Sequence, residues 1–465
     1  MRNWTWTQVF TTLTVSMCSM MIGFVTGYTS PALMSMTTSE HYLPLSRQEQ
    51  SLVGSLMPLL ALFGAMVGGP LMDLLGRKIT IIGTVAPFIA AWLLIAFASG
   101  VEMVYAGRCI SGFCVGVASL CIPVYLGETV QPEVRGRLEL MASTIGNAGI
   151  LLSFVGGKFM DWSKLALVGS VVPVIIFVCM LLIPETPRWY ISKNKVTEAR
   201  TALEWLRSKE ANIDLELNNI RESHSQSVKD TGNTWELFKK HNLKLLFIAI
   251  GLMFFEQMSG IDAVIYYTAL IFKASGSTID DNLSTIIVGV VNCTSTLIAT
   301  FLIDNLGRKI LLYISAATMT VSLTVLGTFF YMKDSGYDVT EYGSIPLTSF
   351  VFFVVGFSLG LGPVPWLMLG EILPAKVRGP AASLVTVCTW GFAFIVTNSF
   401  LHVIKILGTC GTFWMFACIC FISIVFVFFY VPETKGQSLE DIEEKLRRAH
   451  NPVYSRGNSI LQEIQ

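Results

Sequence analysis

The chain has 465 residues, of which 53% are hydrophobic and only 14% charged. A soluble protein of average make-up carries about 25% charged residues, so a water-soluble fold of this size would lack its polar coat, whereas a lipid-embedded chain needs none. Lys plus Arg number 32 and Asp plus Glu number 32, a balance that removes the electrostatic footprint of a nucleic-acid-binding protein.

A membrane-spanning helix needs roughly 20 mostly apolar residues. About twelve such windows follow one another, centred near residues 19, 61, 89, 114, 147, 174, 255, 293, 320, 358, 390 and 420. The first, from about Val9 to Tyr28, is long enough to span, and no small-residue cleavage site follows a short apolar core. It reads as the first membrane helix and the targeting signal together. Six windows precede a polar stretch from Arg188 to about Lys244, and six follow it. That stretch is too charged to insert and contains amphipathic helical pieces such as Val196 to Leu206. Placing it in the cytosol also puts Arg77–Lys78, Arg135–Arg137 and Arg308–Lys309 inside. The loops near Glu102 and from Asp334 to Glu341 are poor in Lys and Arg, so the positive-inside rule makes both termini cytosolic.

The expected organisation is an all-α membrane protein of twelve transmembrane helices in two pseudo-symmetric six-helix bundles. Residues 1–187 form the first bundle, 188–243 a cytosolic helical linker, 244–431 the second bundle and 432–465 a cytosolic tail with a helix over Leu439 to Arg448. Asn282-Leu283-Ser284 falls outside, where it could accept a glycan. The ten cysteines, among them Cys109, Cys114, Cys121, Cys418 and Cys420, sit mostly inside apolar runs and read as small buried hydrophobes. Neither they nor the five dispersed histidines suggest a metal site, no cofactor is implied, and no Walker A sequence for ATP is found.

The two halves repeat. Asp73-Leu-Leu-Gly76-Arg77-Lys78 recurs as Asp304-Asn-Leu-Gly307-Arg308-Lys309. Glu128, seven residues before Arg135-Gly136, recurs as Glu371 before Arg378-Gly379, and Pro184-Glu185-Thr186 recurs as Pro432-Glu433-Thr434. Three landmarks in the same order at similar spacing describe a parallel repeat. In that transporter architecture the substrate sits near mid-membrane between halves that rock around it.

These landmarks, with Gly107-Arg108, Pro123-x-Tyr125-x-x-Glu128, Pro184-Glu-Thr-Pro187-Arg188, Gln257-Met-Ser-Gly-Ile-Asp262, Gly362-Pro-Val-Pro-Trp366 and Pro432-Glu-Thr-Lys-Gly436, resemble the sugar porter branch of the major facilitator superfamily. The resemblance covers essentially the whole chain. The first span, Gly27-Tyr-Thr-Ser-Pro31-Ala-Leu, resembles the insect facilitated trehalose carrier group. The resemblance implies alternating access with no bond made or broken, and therefore not an enzyme.

The charges at the ends of the spans then acquire a role. Asp73 and Arg77, Glu128 and Arg135, Asp304 and Arg308, Glu371 and Arg378 lie where the halves would meet on the cytosolic side, and Arg188 closes the sixth span. The resemblance implies salt bridges that latch this side in the outward-facing state, with Asp304, Glu371, Arg135 and Arg378 at the core. The plainer reading is loop anchoring and orientation at the anionic inner leaflet.

Polar residues deep in spans are costly and need a reason. The seventh span holds Glu256, Gln257, Asp262, Tyr266 and Tyr267 around Ser259-Gly260, where the glycine would let the helix break. Asn292 lies in the eighth span, Trp366 in a Gly-Pro-x-Pro interruption of the tenth, and Trp390 in the eleventh. Amides both donate and accept, as sugar hydroxyls require, and the apolar face of a pyranose packs on an indole. By resemblance, Gln257, Asp262, Asn292, Trp366 and Trp390 contact or shape the hexose pocket, and Tyr266 helps to close the outer side. The plainer reading is polar glue between helices, which is preferred for Tyr267. Ser143 stands where such carriers have Gln, with Asn147 nearby to compensate; Glu256 replaces Gln, Asp262 replaces Asn, and Thr389 replaces Asn.

Three functions remain open. The first is facilitated diffusion of a neutral sugar, trehalose or glucose, across the plasma membrane. The second is proton-coupled symport using Asp262 or Glu256, although Val25 stands where related bacterial symporters carry their coupling acid. The third is a sugar sensor without transport. The partners expected are the sugar and the lipid bilayer, with no obligate protein partner evident.

Overall fold

The computed structural model describes residues 6–38, 43–208, 211–229, 240–276, 280–373 and 378–435. Six long helices come first: α1 (Trp6–Thr38), α2 (Arg47–Leu75), α3 (Arg77–Ala96), α4 (Val101–Thr129), α5 (Pro132–Phe159) and α6 (Trp162–Leu182). Three short ones follow, α7 (Pro187–Ser192), α8 (Val196–Leu206) and α9 (Ile213–Lys229). The second half comprises α10 (Lys240–Met258), α11 (Ile261–Ser275), α12 (Asp281–Leu306), α13 (Arg308–Asp334), α14 (Ile345–Leu359), α15 (Pro363–Ile372) and α16 (Arg378–Tyr430).

Among the described residues 11 helical stretches are long and apolar enough to cross a membrane. One of them, the 53-residue α16, contains Gly408 at φ 74° and ψ 171°, where two helices meet end to end. Splitting it there yields the twelve spans expected. The seventh span is α10 plus α11, broken at Gly260, and the tenth is α14 plus α15, broken before Pro363. Large apolar side chains such as Val171, Val178, Phe421 and Phe428 are exposed, as a hydrocarbon-facing surface requires.

Small residues let the helices inside each half approach closely. A methyl group added at Gly112 or Gly116 of α4 would fall 2.4 Å from the Met57 carbonyl oxygen or 2.0 Å from that of Ala61, both on α2. Side chains start several helices: Ser46 and Glu49 form a reciprocal capping box on α2, and Asp161 and Asp280 accept from backbone N–H groups at α6 and α12.

Helices α7 to α9 share a small apolar core of Ile191, Ala199, Leu203 and Leu217. This linker is docked on the first half. Arg207, 7% exposed, donates to the Thr129 carbonyl oxygen at 2.8 Å and forms a bidentate pair with Glu216, while Gln8 of α1 donates to the Leu206 carbonyl oxygen. The tail from residue 436 on, with the helix expected over Leu439 to Arg448, lies outside the described residues.

The repeat landmarks build the same anchor twice. Arg77 pairs with Glu128 at 2.9 Å, and Thr186 donates to the other Glu128 oxygen at 2.6 Å. Arg308 pairs with Glu371 at 2.8 Å, and Thr434 donates to its other oxygen at 2.5 Å. Gly76 and Gly307 make the sharp turns that aim each Arg inward, with φ 99° and 89°. Glu185 then accepts the Lys78 N–H at 2.8 Å, and Glu433 the Lys309 N–H at 3.0 Å.

The two outer carboxyls differ. Burial pushes the Glu185 pKa above the usual carboxylate range, against the backbone N–H groups of Thr186 and Lys78. At Glu433 burial also acts to raise the pKa, but N–H groups of Lys435, Arg308, Lys309 and Thr434 outweigh it and hold the carboxyl low. The charged form of Glu433 therefore contributes stability above the ordinary carboxylate range and loses it as pH falls through the depressed pKa. Glu433→Gln should lower the detergent melting temperature at neutral pH, and its gap from wild type should narrow on acidification. A gap that stays constant with pH would refute the assignment.

A second test concerns the turns. Alanine at either glycine must adopt positive φ, and at Gly76 its methyl would lie 2.3 Å from a Glu185 oxygen, against 3.0 Å from Glu433 at Gly307. Both variants should be destabilised by about 1–3 kcal/mol, Gly76→Ala the more. Unaltered melting of Gly76→Ala would show that the turn is not constrained.

Candidate functional site between the halves

The break at Gly260 (φ 88°) separates α10 from α11 and leaves Glu256 and Gln257 at the end of one helix and Asp262 in the first turn of the next. The break between α14 and α15 sets Trp366 one turn into α15, where it is 37% exposed. The two breaks face each other: the Trp366 indole N–H donates to Glu256 Oε1 at 3.1 Å. Glu256 and Gln257 are both buried, yet Glu256 Oε2 and Gln257 Oε1 have no hydrogen-bond partner. Leaving buried acceptors unpaired costs free energy, so these atoms mark a place where a donor is missing.

The other predicted residues divide between two settings. Asn292 Oδ1 accepts from Ser358 at 3.0 Å, inside the second half. Asn147 and Trp390 instead bridge the halves. Asn147 Nδ2 donates to Thr296 Oγ1 at 2.8 Å, and Trp390 Nε1 to Ser119 Oγ at 3.2 Å. Asp262 is half-buried, and its carboxylate makes no hydrogen bond among the described residues. Tyr266 is fully buried with its hydroxyl 4.0 Å from the Met57 sulfur of α2, and Tyr267 stacks on Phe400.

At the end of the bundle where α2 begins, the halves are joined by a polar seam. Ser51 donates to the Asn398 carbonyl oxygen at 2.7 Å and Ser55 to Asn398 Oδ1 at 3.1 Å. The Ala269 N–H donates to Ser30 Oγ at 3.0 Å, and within the second half Tyr267 donates to the Thr397 carbonyl oxygen at 3.3 Å. Gly54 sits between the two serines, and a methyl there would fall 2.7 Å from the Tyr267 hydroxyl. None of Ser30, Ser51, Gly54, Ser55 and Asn398 was singled out from the sequence. The spacing Ser51-x-x-Gly54-Ser55 puts small residues on one face of α2 and was the available signal.

At the opposite end, which carries the charged loops, the described ion pairs of the expected gate lie within the halves. Arg77 and Glu128, with Asp73 3.7 Å from Arg77, belong to the first half, and Arg308 and Glu371 to the second. Arg188 is exposed in the first turn of α7. The side chains of Arg135, Asp304 and Arg378 lie outside the described residues. Asn282 is half-buried in the first turn of α12 and Ser284 is fully buried, a less open setting than the outer loop expected for the glycan acceptor. Among the described residues no three metal-ligating side chains cluster. Two hollows of about 440 and 500 Å³ lie elsewhere, one around Tyr190 and Trp205, the other on the face of α2 to α4 around Gly83 and Phe113.

Two broken spans facing each other at the junction of two repeated six-helix halves define a multi-pass membrane transporter. The family model described as sugar (and other) transporter matches residues 11–446, and the chain belongs to that family. It is 57% identical over 444 residues to the facilitated trehalose transporter Tret1 of Aedes aegypti, covering 95% of this chain but 55% of that protein, so it spans about half that relative's length. It is 55% identical to Tret1 of Polypedilum vanderplanki, covering 95% of this chain and 88% of that one. Among solved structures, a major facilitator superfamily proton:xylose symporter bound to 6-bromo-6-deoxy-D-glucose superposes with a TM-score of 0.78 at 24% identity, covering 94% of this chain and 99% of that one. The inward open xylose transporter of E. coli gives 0.77 at 24% identity, with the same coverage. At that identity the likeness speaks for the fold.

The seam yields a test. Gly54→Leu drives a side chain into Tyr267 and should hold the two halves apart at that end. Transport should fall at least tenfold while the protein still reaches the membrane, whereas full transport would remove the seam from the working cycle.

Proposed function

We propose that the protein carries a neutral sugar, trehalose or glucose, across the plasma membrane by facilitated diffusion. The observation that carries this reading is the pair of buried unpaired acceptors, Glu256 Oε2 and Gln257 Oε1, beside the exposed ring of Trp366. Hydroxyl donors and an apolar C–H face are what such a lining lacks, and a pyranose brings both. Membership of a sugar transporter family and relatives named for trehalose support the choice of substrate.

In this reading Gln257, Asp262, Asn292, Trp366, Trp390, Glu256 and Asn147 line or shape the site. Tyr266 closes the outer side, which is the end of the Ser51–Asn398 seam. The charged-loop end, with Lys78, Lys309, Lys193 and Lys195, faces the cytosol by the positive-inside rule, so both termini do too. Residues 1–187 with the linker, and residues 244–431, move as two bodies. When the outer seam opens, Arg135, Asp304, Glu371 and Arg378 come together as the cytosolic latch. Each seam contact is a single hydrogen bond that water can replace, so the two arrangements differ by little free energy.

The test is uptake of labelled trehalose and glucose in cells lacking their own sugar carriers, at external pH 5.5 and 7.5, with and without a protonophore. Uptake of either sugar down its gradient, unaffected by the protonophore, is expected. Uptake abolished by the protonophore would instead make Asp262 or Glu256 a proton site. Surface protein with no uptake of either sugar would overturn the substrate.

A further inference from the structure

The end of the bundle that carries the charged loops has a hollow for which sugar transport has no use. Helix α8 presents two faces. Ala199 and Leu203 pack into the small core shared with α7 and α9. Thr197, Thr201 and Trp205, each one turn from the next, form the other face, and it looks onto the end of α6 across a space of about 440 Å³ whose far wall is Leu182 and Ile183. Leu182 is 61% exposed, as are its neighbours Leu181 and Val178 in large part, so the hollow opens where the hydrocarbon-facing surface of α6 ends. Its rim is basic. Lys193 and Lys195 flank Asn194, whose φ of 59° makes a tight left-handed turn, and the Lys195 N–H donates to the Tyr190 carbonyl oxygen at 2.8 Å, which holds that turn beside the hollow. The two ammonium groups lie 5.9 and 6.0 Å from the Trp189 ring, whose indole N–H is anchored on the Asp73 carbonyl oxygen at 3.3 Å. Lys78 nearby is spent on the Leu181 and Ile183 carbonyl oxygens, but neither Lys193 nor Lys195 has an ion pair among the described residues. Two uncompensated cations held at one indole, with Tyr190 and Trp205 beside them, mark a membrane–water boundary that draws negative charge.

We propose that this hollow is a binding site for an anionic phospholipid. Its phosphate sits between Lys193 and Lys195, and one acyl chain fills the space between α6 and α8. The apolar wall suits the chain, the lysines suit the headgroup, and the opening at the end of α6 lets the lipid enter sideways from its own leaflet. Glu198, also in the lining, opposes the headgroup and so tempers the affinity. A bound lipid ties the linker to the membrane surface and to the first half. The proposal uses neither the identity of the sugar nor the direction of transport.

The full chain is reconstituted in phosphatidylcholine vesicles holding a trace of phosphatidylserine with a photoactivatable acyl chain. The lipid is present in both leaflets, so the orientation of the protein does not enter. After illumination the labelled peptides are mapped. Label is expected on the peptides carrying Leu182 and Thr201, and photoactivatable phosphatidylcholine at equal content should label them roughly tenfold less or weaker still. The double variant Lys193→Gln with Lys195→Gln should bring phosphatidylserine down to the phosphatidylcholine level, and Glu198→Gln should raise its labelling about fivefold. Thr201→Trp, which fills the hollow and keeps both lysines, should also cut labelling at Leu182. All these side chains are exposed, so detergent melting temperatures should stay at the wild-type value. Equal labelling by the two lipids, or phosphatidylserine labelling unchanged in the double lysine variant, would overturn the proposal. Failure of sugar uptake in cells would bear on the substrate and leave this site standing.

Discussion

Each half carries the same partly buried ion pair beside its repeat turn, Arg77 with Glu128 and Arg308 with Glu371. A pair of this kind is costly to break because removing either partner strands a charge, at about 3–5 kcal/mol when fully buried. Around it the turn glycine, the threonine hydroxyl and the second carboxylate are set in the same positions in both halves. The contacts between the halves are of another kind. Serine to asparagine, a backbone N–H to serine, asparagine to threonine: each is a single neutral hydrogen bond worth about 0.5–1.5 kcal/mol net. Strong bonds within each half and weak ones between them allow rigid bodies to rock without unfolding.

The proposed sugar lining uses the remaining freedom. Continuous helices satisfy their own backbone groups and offer little to a ligand. Breaks at Gly260 and before Pro363 interrupt the two spans that meet at Glu256 and Trp366. The Glu256 carboxylate holds the Trp366 indole N–H, and Asn147 of α5 reaches across to Thr296 of α12.

The spans were legible because length and hydropathy alone identify a membrane helix, and the repeat was legible because charged residues in lipid-bound ends are rare enough to be landmarks. The break at Gly260 could be foreseen from the glycine amid polar residues. The partners of the charges could not: the sequence shows Arg308 and Glu371 without saying whether they meet in one half or across two. Sequence reading placed Glu371 in a latch between halves in the outward-facing state; in the arrangement seen it is bound to Arg308 and Thr434. The seam was missed because serine, glycine and asparagine are common in membrane helices, and only their common face on α2 distinguishes Ser51, Gly54 and Ser55. The docking of the linker through Arg207 depends on tertiary contacts with Thr129 and Glu216 that no local pattern encodes.

The most direct test of rocking halves is a reversible tether across the seam. Ser51 and Asn398, joined at 2.7 Å from hydroxyl to carbonyl, are replaced by cysteines in a background stripped of the native ten, and sugar uptake is measured before and after oxidation and after reduction. Cross-linking should stop uptake, and reduction should restore it, because the outer end must open in every cycle. Full uptake by quantitatively cross-linked protein would contradict movement at this seam.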